Sequence, residues 1–287
     1  MLIDAHVHVV GSPDAHPLDP ARSYLPGPAP LAKLRASAAS AGIDRFVLVQ
    51  PSFYGCDNTL LMQSLGELGP YGRGVAVVDL DCEFETLSDL ARCGVRGLRV
   101  NLYSVSHDGK LPPFVDTFHA MVDMAGAMQW HVEVIASMAS LAAQAEMIAS
   151  AGVDVVFDHY GLHGNIAPDS AEGRCVLELM RLPHVWMKLS APYRCSADEH
   201  AVKPDPAWLD ALVDAAPARC VWGSDWPFTP DQSTHRGPDT LAPYRDLTYD
   251  SVVDGFRAAI GDAELTRKLM RDNAARLYGF SDEGAAA

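Results

Sequence analysis

A chain of 287 residues with 48% hydrophobic content carries enough apolar mass to bury one large core, and its formal net charge of −15 argues against nucleic acid or an anionic membrane surface as a partner. No run of about 18 apolar residues is present, so no segment reads as a membrane span. The six cysteines lack any C-x-x-C spacing and read as reduced packing thiols, no signal-like leader precedes the first strand, and the expected location is therefore the cytoplasm.

Residues 3–8, Ile3-Asp4-Ala5-His6-Val7-His8, read as the first strand. Alternation of side chains would place Asp4, His6 and His8 on one face and Ile3, Ala5 and Val7 on the other. Residues 11–30 are rich in Pro and Asp and form a long loop around Arg22-Ser23-Tyr24-Leu25-Pro26, suited either to roof a site or to serve as a plain surface excursion. Helical spacing then covers 31–41, with Gly42 as its stop.

Strands at 45–50, 74–78, 96–102, 131–136, 154–159, 185–190 and 220–225 follow. They alternate with helices at 58–68, 83–93, 114–129, 138–150, 171–181 and 207–215. With the first strand this makes eight, and eight right-handed βα units predict an α/β protein with a single (β/α)8 TIM barrel. A doubly wound open sheet is the alternative, but Val9-Val10-Gly11-Ser12-Pro13 lacks the G-x-G-x-x-G phosphate loop such folds place after the first strand. Helices at 249–260 and 263–277 are expected to cover the barrel exterior, and 281–287 to fray as a tail.

Active sites of such barrels lie at the C-terminal ends of the strands. His6, His8, His159 and Asp225 all fall there, so three imidazoles and one carboxylate are predicted to share one mouth. In Val221-Trp222-Gly223-Ser224-Asp225, Asp225 shares its face with Val221 and Gly223. A carboxylate buried there asks for a cation or a proton to handle.

In Gly97-Leu98-Arg99-Val100-Asn101-Leu102 the apolar residues suit the helix-facing side and leave Arg99 and Asn101 pointing inward. An inward guanidinium suits a carboxylate of a small anionic substrate; the alternative is a structural ion pair with Asp79 or Glu133. Lys188, Ser190, Tyr193 and Arg194 could form a second basic wall. His131 and Glu133 share a face as either an extra ligand pair or a buried polar network.

Taken together, Asp4-Ala5-His6-Val7-His8, Tyr24-Leu25-Pro26, Val49-Gln50-Pro51-Ser52, Arg96-Gly97-Leu98-Arg99-Val100-Asn101, Asp158-His159 and Trp222-Gly223-Ser224-Asp225-Trp226-Pro227 resemble the amidohydrolase superfamily. The resemblance is to its branch of 2-pyrone-4,6-dicarboxylate hydrolase, 4-sulfomuconolactone hydrolase and sugar-lactone hydrolases, and it spans essentially the whole chain as one domain. It implies an amidohydrolase-type barrel that hydrolyses lactones, with His6, His8, His159 and Asp225 at catalytic or metal-binding positions. Tyr24, Ser52, Arg99 and Arg194 match positions that hold the substrate's carboxylates in the pyrone dicarboxylate enzyme. That enzyme has a second arginine where this chain has Val105 and a tyrosine where it has Ile135, which favours a related lactone with a different arrangement of anions.

The expected mechanism is water attack on the lactone carbonyl, with Asp225 as general base and the imidazoles polarising the carbonyl directly or through a metal. His6, His8, His159 and Asp225 suit one divalent ion, Zn²⁺ or Mn²⁺, and could also work without metal. Fewer arginines tilt the expectation towards the ion. A zinc-dependent decarboxylase of the same superfamily and a non-catalytic ligand-binding barrel are the rival readings, and an oligomer is compatible with either.

Overall fold

The computed structural model describes residues 1–103 and 114–281. Eight parallel strands follow one another around the sheet: β1 Ile3–Val7, β2 Arg45–Val49, β3 Gly72–Ala76, β4 Val95–Asn101, β5 His131–Ile135, β6 Val155–Phe157, β7 Val185–Ser190 and β8 Cys220–Gly223. The ends meet where Asp225 N–H donates to His6 O at 2.9 Å and His8 N–H to Trp226 O at 2.8 Å, which closes the sheet into a barrel. Most strands are short runs rich in β-branched and apolar residues, buried on both faces, as parallel strands under helices require.

The helices are α1 Leu31–Ala38, α2 Thr59–Leu68, α3 Phe84–Cys93, α4 Phe114–Met128, α5 Met138–Ala143, α6 Ala145–Ala149, α7 Ala171–Arg181, α8 Pro206–Ala215, α9 Tyr249–Ile260, α10 Ala263–Arg267 and α11 Asn273–Tyr278. The helix expected over 138–150 is divided at Gln144, and that expected over 263–277 is interrupted by a π-helical turn at Lys268–Asp272. No helix among the described residues is long and apolar enough to cross a membrane. Of the expected tail, only Ser281 lies within the described residues, and Val105 lies outside them.

Two apolar clusters divide the core. The larger fills the space between sheet and helices. The smaller lies inside the barrel, where Ile3, Ala5, Val47, Val49, Val75, Val156, Trp186 and Val221 meet Ala274, Tyr278 and Phe280. The end of the helical segment expected over 263–277 therefore does not cover the exterior, contrary to that expectation. Tyr278 is fully buried and its ring lies 5.2 Å from that of His131, so α11 stoppers the end of the barrel opposite the mouth.

Strand alternation fails in β1. Ile3 and Ala5 belong to the interior cluster and Val7 to the outer one, and the register slips between Asp4 and Val7. Ala5, His6 and His8 consequently face inward, while Asp4 turns to the helix layer and corrects the predicted Asp4, His6, His8 face. There Asp4 accepts hydrogen bonds from Tyr249 Oη at 2.6 Å, Ser224 N at 2.8 Å and His6 N at 3.1 Å. Burial pushes its pKa to about 6 against these donors. Asp4 thus ties β1 to β8 and α9.

Gly223 makes room for the slipped strand. A Cβ there would sit 2.7 Å from His6 Cβ and 2.8 Å from His6 N, distances that backbone must move to relieve. Gly223→Ala is expected to destabilise the fold by about 1–3 kcal/mol through overpacking. Urea unfolding measures this, and an unchanged midpoint would show that β1 and β8 are not in tight contact.

Candidate active site

The inward-facing residues of the upper barrel are nearly all polar and buried. His6, Glu133, Lys188 and Asp225 show no solvent exposure, and Asp158, His159 and Ser190 show 1%. Such a group survives only if its charges are paired and hydrogen-bonded.

Asp225 is the most constrained. Its Oδ2 accepts Tyr193 Oη at 2.7 Å and Arg194 Nε at 2.9 Å. Its Oδ1 has no hydrogen-bond partner and faces His8 Nε2 at 3.3 Å and His6 Nε2 at 3.6 Å. Burial alone would raise its pKa, but Arg194 first, then His159 and the other nearby imidazoles, hold it well below the usual carboxylate range. Asp225 is therefore ionised, with one oxygen clamped and the other turned to the imidazoles.

His8 Nδ1 donates to Val49 O at 2.7 Å, which fixes its orientation and leaves Nε2 on the side of Asp225. His159 pairs through Nδ1 with Ser190 Oγ at 2.9 Å, and its ring lies 4.7 Å from that of His6. It follows β6 rather than ending it, in a left-handed conformation with φ 50°, as does Asp225 with φ 62°. Non-glycine residues in that region are strained and concentrate at functional sites. The turn at His159 lets two successive residues, Asp158 and His159, both face inward.

Asp158, which alternation alone would not have separated from a plain strand residue, is central. Its Oδ1 lies 3.3 Å from His6 Nδ1 and 3.7 Å from Lys188 Nζ, and its Oδ2 accepts Arg99 Nη2 at 3.3 Å. Against the effect of burial, His6 and Lys188 hold its pKa well below the usual range. The carboxylate in ion-pair range of Arg99 is thus Asp158, rather than Asp79 or Glu133. Arg99 Nη1 also donates to Gln50 O at 3.0 Å, and its Nε is buried without a partner.

Glu133 is part of a buried polar network, whereas His131 shows no hydrogen bond to it and has Nε2 buried without a partner. Glu133 accepts a hydrogen bond from Lys188, and burial together with Asp158 raises its pKa. His131 sits beside Tyr278, in a space that Gly97 leaves open: a Cβ at Gly97 would fall 2.3 Å from His131 Nε2.

The mouth is a narrow cleft lined by His8, Tyr24, Ser52, Arg99, His159 and Arg194, and also by Tyr103, Ile135, Gln232 and His235. Asn101 lies to one side, in a recess shared with Ser52 and Arg99, where its Oδ1 accepts Tyr103 N–H at 3.0 Å. Tyr24 stacks on His235 at 4.2 Å, and Ser23 Oγ pairs with His235 Nδ1 at 2.8 Å. The loop holding Tyr24 is strapped across the mouth, since Leu25–Pro26 pairs with Leu241–Ala242. His235 was not singled out from sequence, and Tyr193, expected beside Arg194 in a second basic wall, instead donates to Asp225.

Two groups of metal-binding geometry emerge, one of His6, His8 and Asp225 and the other of His6, Asp158 and His159, each with ligand atoms within 4.8 Å of one another. The four residues predicted as one ligand set are thus divided, with His6 in both groups. The first group fits a cation. His6 Nε2 and Asp225 Oδ1 are buried without partners, and His8 Nε2 faces that same oxygen.

A (β/α)8 barrel with imidazoles and an aspartate gathered at the C-terminal ends of its strands has the arrangement of an enzyme active site. The chain belongs to the amidohydrolase family, whose model matches residues 3–280. It is 28% identical over 285 residues to a 4-sulfomuconolactone hydrolase of Hydrogenophaga intermedia, covering 98% of this chain and 90% of that protein. It is 30% identical over 288 residues to a 2-pyrone-4,6-dicarboxylate hydrolase of Comamonas testosteroni, covering 96% and 89%. A solved structure from Pseudomonas putida bearing the name 2-pyrone-4,6-dicarboxylic acid hydrolase superposes with a TM-score of 0.81 at 30% identity, covering 98% of each chain.

Burial lowers the pKa of both His131 and His159 to about 3. The unfolded chain takes up these protons near pH 6.5, whereas the folded chain does so only near 3. Stability must therefore fall as pH drops through that window, by about 1.4 kcal/mol per pH unit for each histidine. Asp4 and Glu133, whose pKa values are raised, act in the opposite sense, so a single-residue comparison is needed. Between pH 6 and 4.5 the stability of His131→Gln, from urea unfolding, is expected to fall less steeply than that of the wild type by about this amount. Parallel slopes would mean that folded His131 takes up its proton normally.

Proposed function

We propose that this chain opens a small anionic lactone by hydrolysis, with Asp225 as the general base. The observation that carries the reading is Asp225 itself: an ionised, fully buried carboxylate with Oδ1 unpaired, facing two imidazoles beneath a mouth that holds two arginines. Water placed at Oδ1 would give up its proton to Asp225 as it attacks the carbonyl, and Asp225 would then return that proton to the departing ring oxygen. His6 and His159 stand where N–H donors would favour the oxyanion, while His8, whose Nδ1–H goes to Val49 O, turns a lone pair to the same space.

Arg99 and Arg194 would hold the acid groups, with Tyr24, Ser52 and Asn101 orienting the ring. Arg194 has a second consequence. It is the main attraction that offsets burial and keeps the pKa of Asp225 low, and a substrate carboxylate competing for it would weaken that hold and make Asp225 a stronger base. An anionic substrate would thereby activate the base that attacks it.

His6, His8 and Asp225 would hold one divalent ion, Zn²⁺ or Mn²⁺, with His159 facing the same space. Bound there, it would supply Lewis acidity and a water of lowered pKa. The relatives at 28% and 30% identity are hydrolases of lactones, which favours ring opening over decarboxylation. The buried acid and three imidazoles favour an enzyme over a binding-only barrel. Six unpaired cysteines suit a cytoplasmic setting.

Purified protein is expected to consume 4-sulfomuconolactone or 2-pyrone-4,6-dicarboxylate, followed by loss of the ring's ultraviolet absorbance, without release of carbon dioxide. Asp225→Asn should reduce kcat by about 100- to 10,000-fold while leaving the fold intact. Activity within a few-fold of wild type would remove Asp225 from the mechanism, and carbon dioxide release would favour the decarboxylase.

Elemental analysis should find about one equivalent of Zn²⁺ or Mn²⁺, with activity lost on chelation and restored by either ion. Fully active protein holding far less than one equivalent, unchanged by chelator or added metal, would leave the histidines acting alone.

A further inference from the structure

Lys188 projects into the barrel from β7 between Trp186 and Ser190, and it has no solvent exposure. A lysine so placed is uncommon, since removing an ammonium from water is costly unless it is fully engaged. Its partners are Glu133 Oε2, His6 Nδ1 at 3.1 Å and Asp158 Oδ1 at 3.7 Å, over the Tyr278 ring at 5.8 Å. Two of these partners lie outside the mechanism described above, and the third is one of its histidines.

The conflict lies at His6 Nδ1. An ammonium has only donors, so Lys188 requires a lone pair on that nitrogen. A carboxylate has only acceptors, so Asp158 Oδ1, 3.3 Å from the same nitrogen, requires an N–H. A neutral imidazole satisfies one of them at a time. The choice decides what the opposite nitrogen, Nε2, presents to Asp225 Oδ1 at 3.6 Å.

We infer that Lys188 is a positioning residue that selects the tautomer of His6. Held by Lys188, His6 presents an Nε2–H towards the reacting space, suited to an oxyanion. Released to Asp158, it presents a lone pair, suited to a cation in the way metal-bound histidines are backed by a carboxylate. Lys188 and Asp158 thus pull the same ring towards direct hydrogen-bond catalysis and towards metal binding, respectively. The inference rests on the hydrolase reading only for the use made of each tautomer; tautomer and metal affinity are read without substrate.

The test compares wild type, Lys188→Met and Asp158→Asn after chelator treatment. Long-range ¹H–¹⁵N spectra report the tautomer of each histidine, with His6 identified by its loss in His6→Asn, and calorimetric titration with Zn²⁺ gives affinity. Lys188→Met should shift His6 to the Nδ1–H form and tighten Zn²⁺ binding about tenfold, and Asp158→Asn should keep the Nε2–H form and weaken binding about 10- to 100-fold.

If Lys188→Met does not fold because Glu133 is left unpaired, Lys188→Met/Glu133→Gln removes both partners and should give the same shift and tightening. An unchanged tautomer or unchanged Zn²⁺ affinity in the folded variant would overturn the inference and confine Lys188 to neutralising Glu133. Wild type that turns over no lactone, yet shows the tautomer shift on substitution, would defeat the hydrolase reading and leave this inference standing.

Discussion

The requirement that every buried charge find a partner governs the upper half of this barrel. Lys188 and Arg99 stand against Glu133 and Asp158, and Arg194 stands against Asp225, all nearly or fully removed from water. An unpaired ion there would cost several kcal/mol, so the pairs fix where the imidazoles lie. His6 is held between Asp158 and Lys188 on one edge and faces Asp225 on the other. The apolar plug of Tyr278, Phe280 and Trp186 beneath the network keeps water from relieving these constraints from below.

The same pairing shapes the chemistry. Clamping Asp225 through Oδ2 by Tyr193 and Arg194 leaves a single oxygen able to accept a proton or a cation. Arg99 spends two donors on Asp158 and Gln50 and keeps one buried N–H unpaired. Neither arginine of the mouth is a free cation, so an incoming anion must compete with a carboxylate already in place. On the proposed reading, that competition at Arg194 would couple anion binding to activation of Asp225.

Backbone irregularities deliver the side chains. The slip in β1 turns Ala5, His6 and His8 inward and sends Asp4 to the helices. Left-handed residues at His159 and Asp225 point side chains where regular strand ends would not. Each deviation is over-determined by packing: Gly223 admits β1, Asp4 fastens it to Tyr249, and Ser190 secures His159. Strain of about 1–3 kcal/mol per residue is tolerable only in such a setting.

The chain's order of strands and helices was legible because parallel strands between helices read as short apolar runs separated by turn residues, a local property of the sequence. His6, His8 and Asp225 were legible for a related reason, since polar residues at the ends of such runs have few structural uses. Local pattern could not reveal the partner of Arg99, the inward turn of Asp158 or the contact of Lys188 with His6. Those depend on residues 59 and 182 positions apart meeting inside a closed barrel. They depend also on a register slip and left-handed residues that break the period of two on which sequence reading relies. Composition and periodicity determined the barrel and put His6, His8 and Asp225 at its strand ends; only closure of the sheet decided which charges pair, because pairing is set by distance across the barrel rather than along the chain.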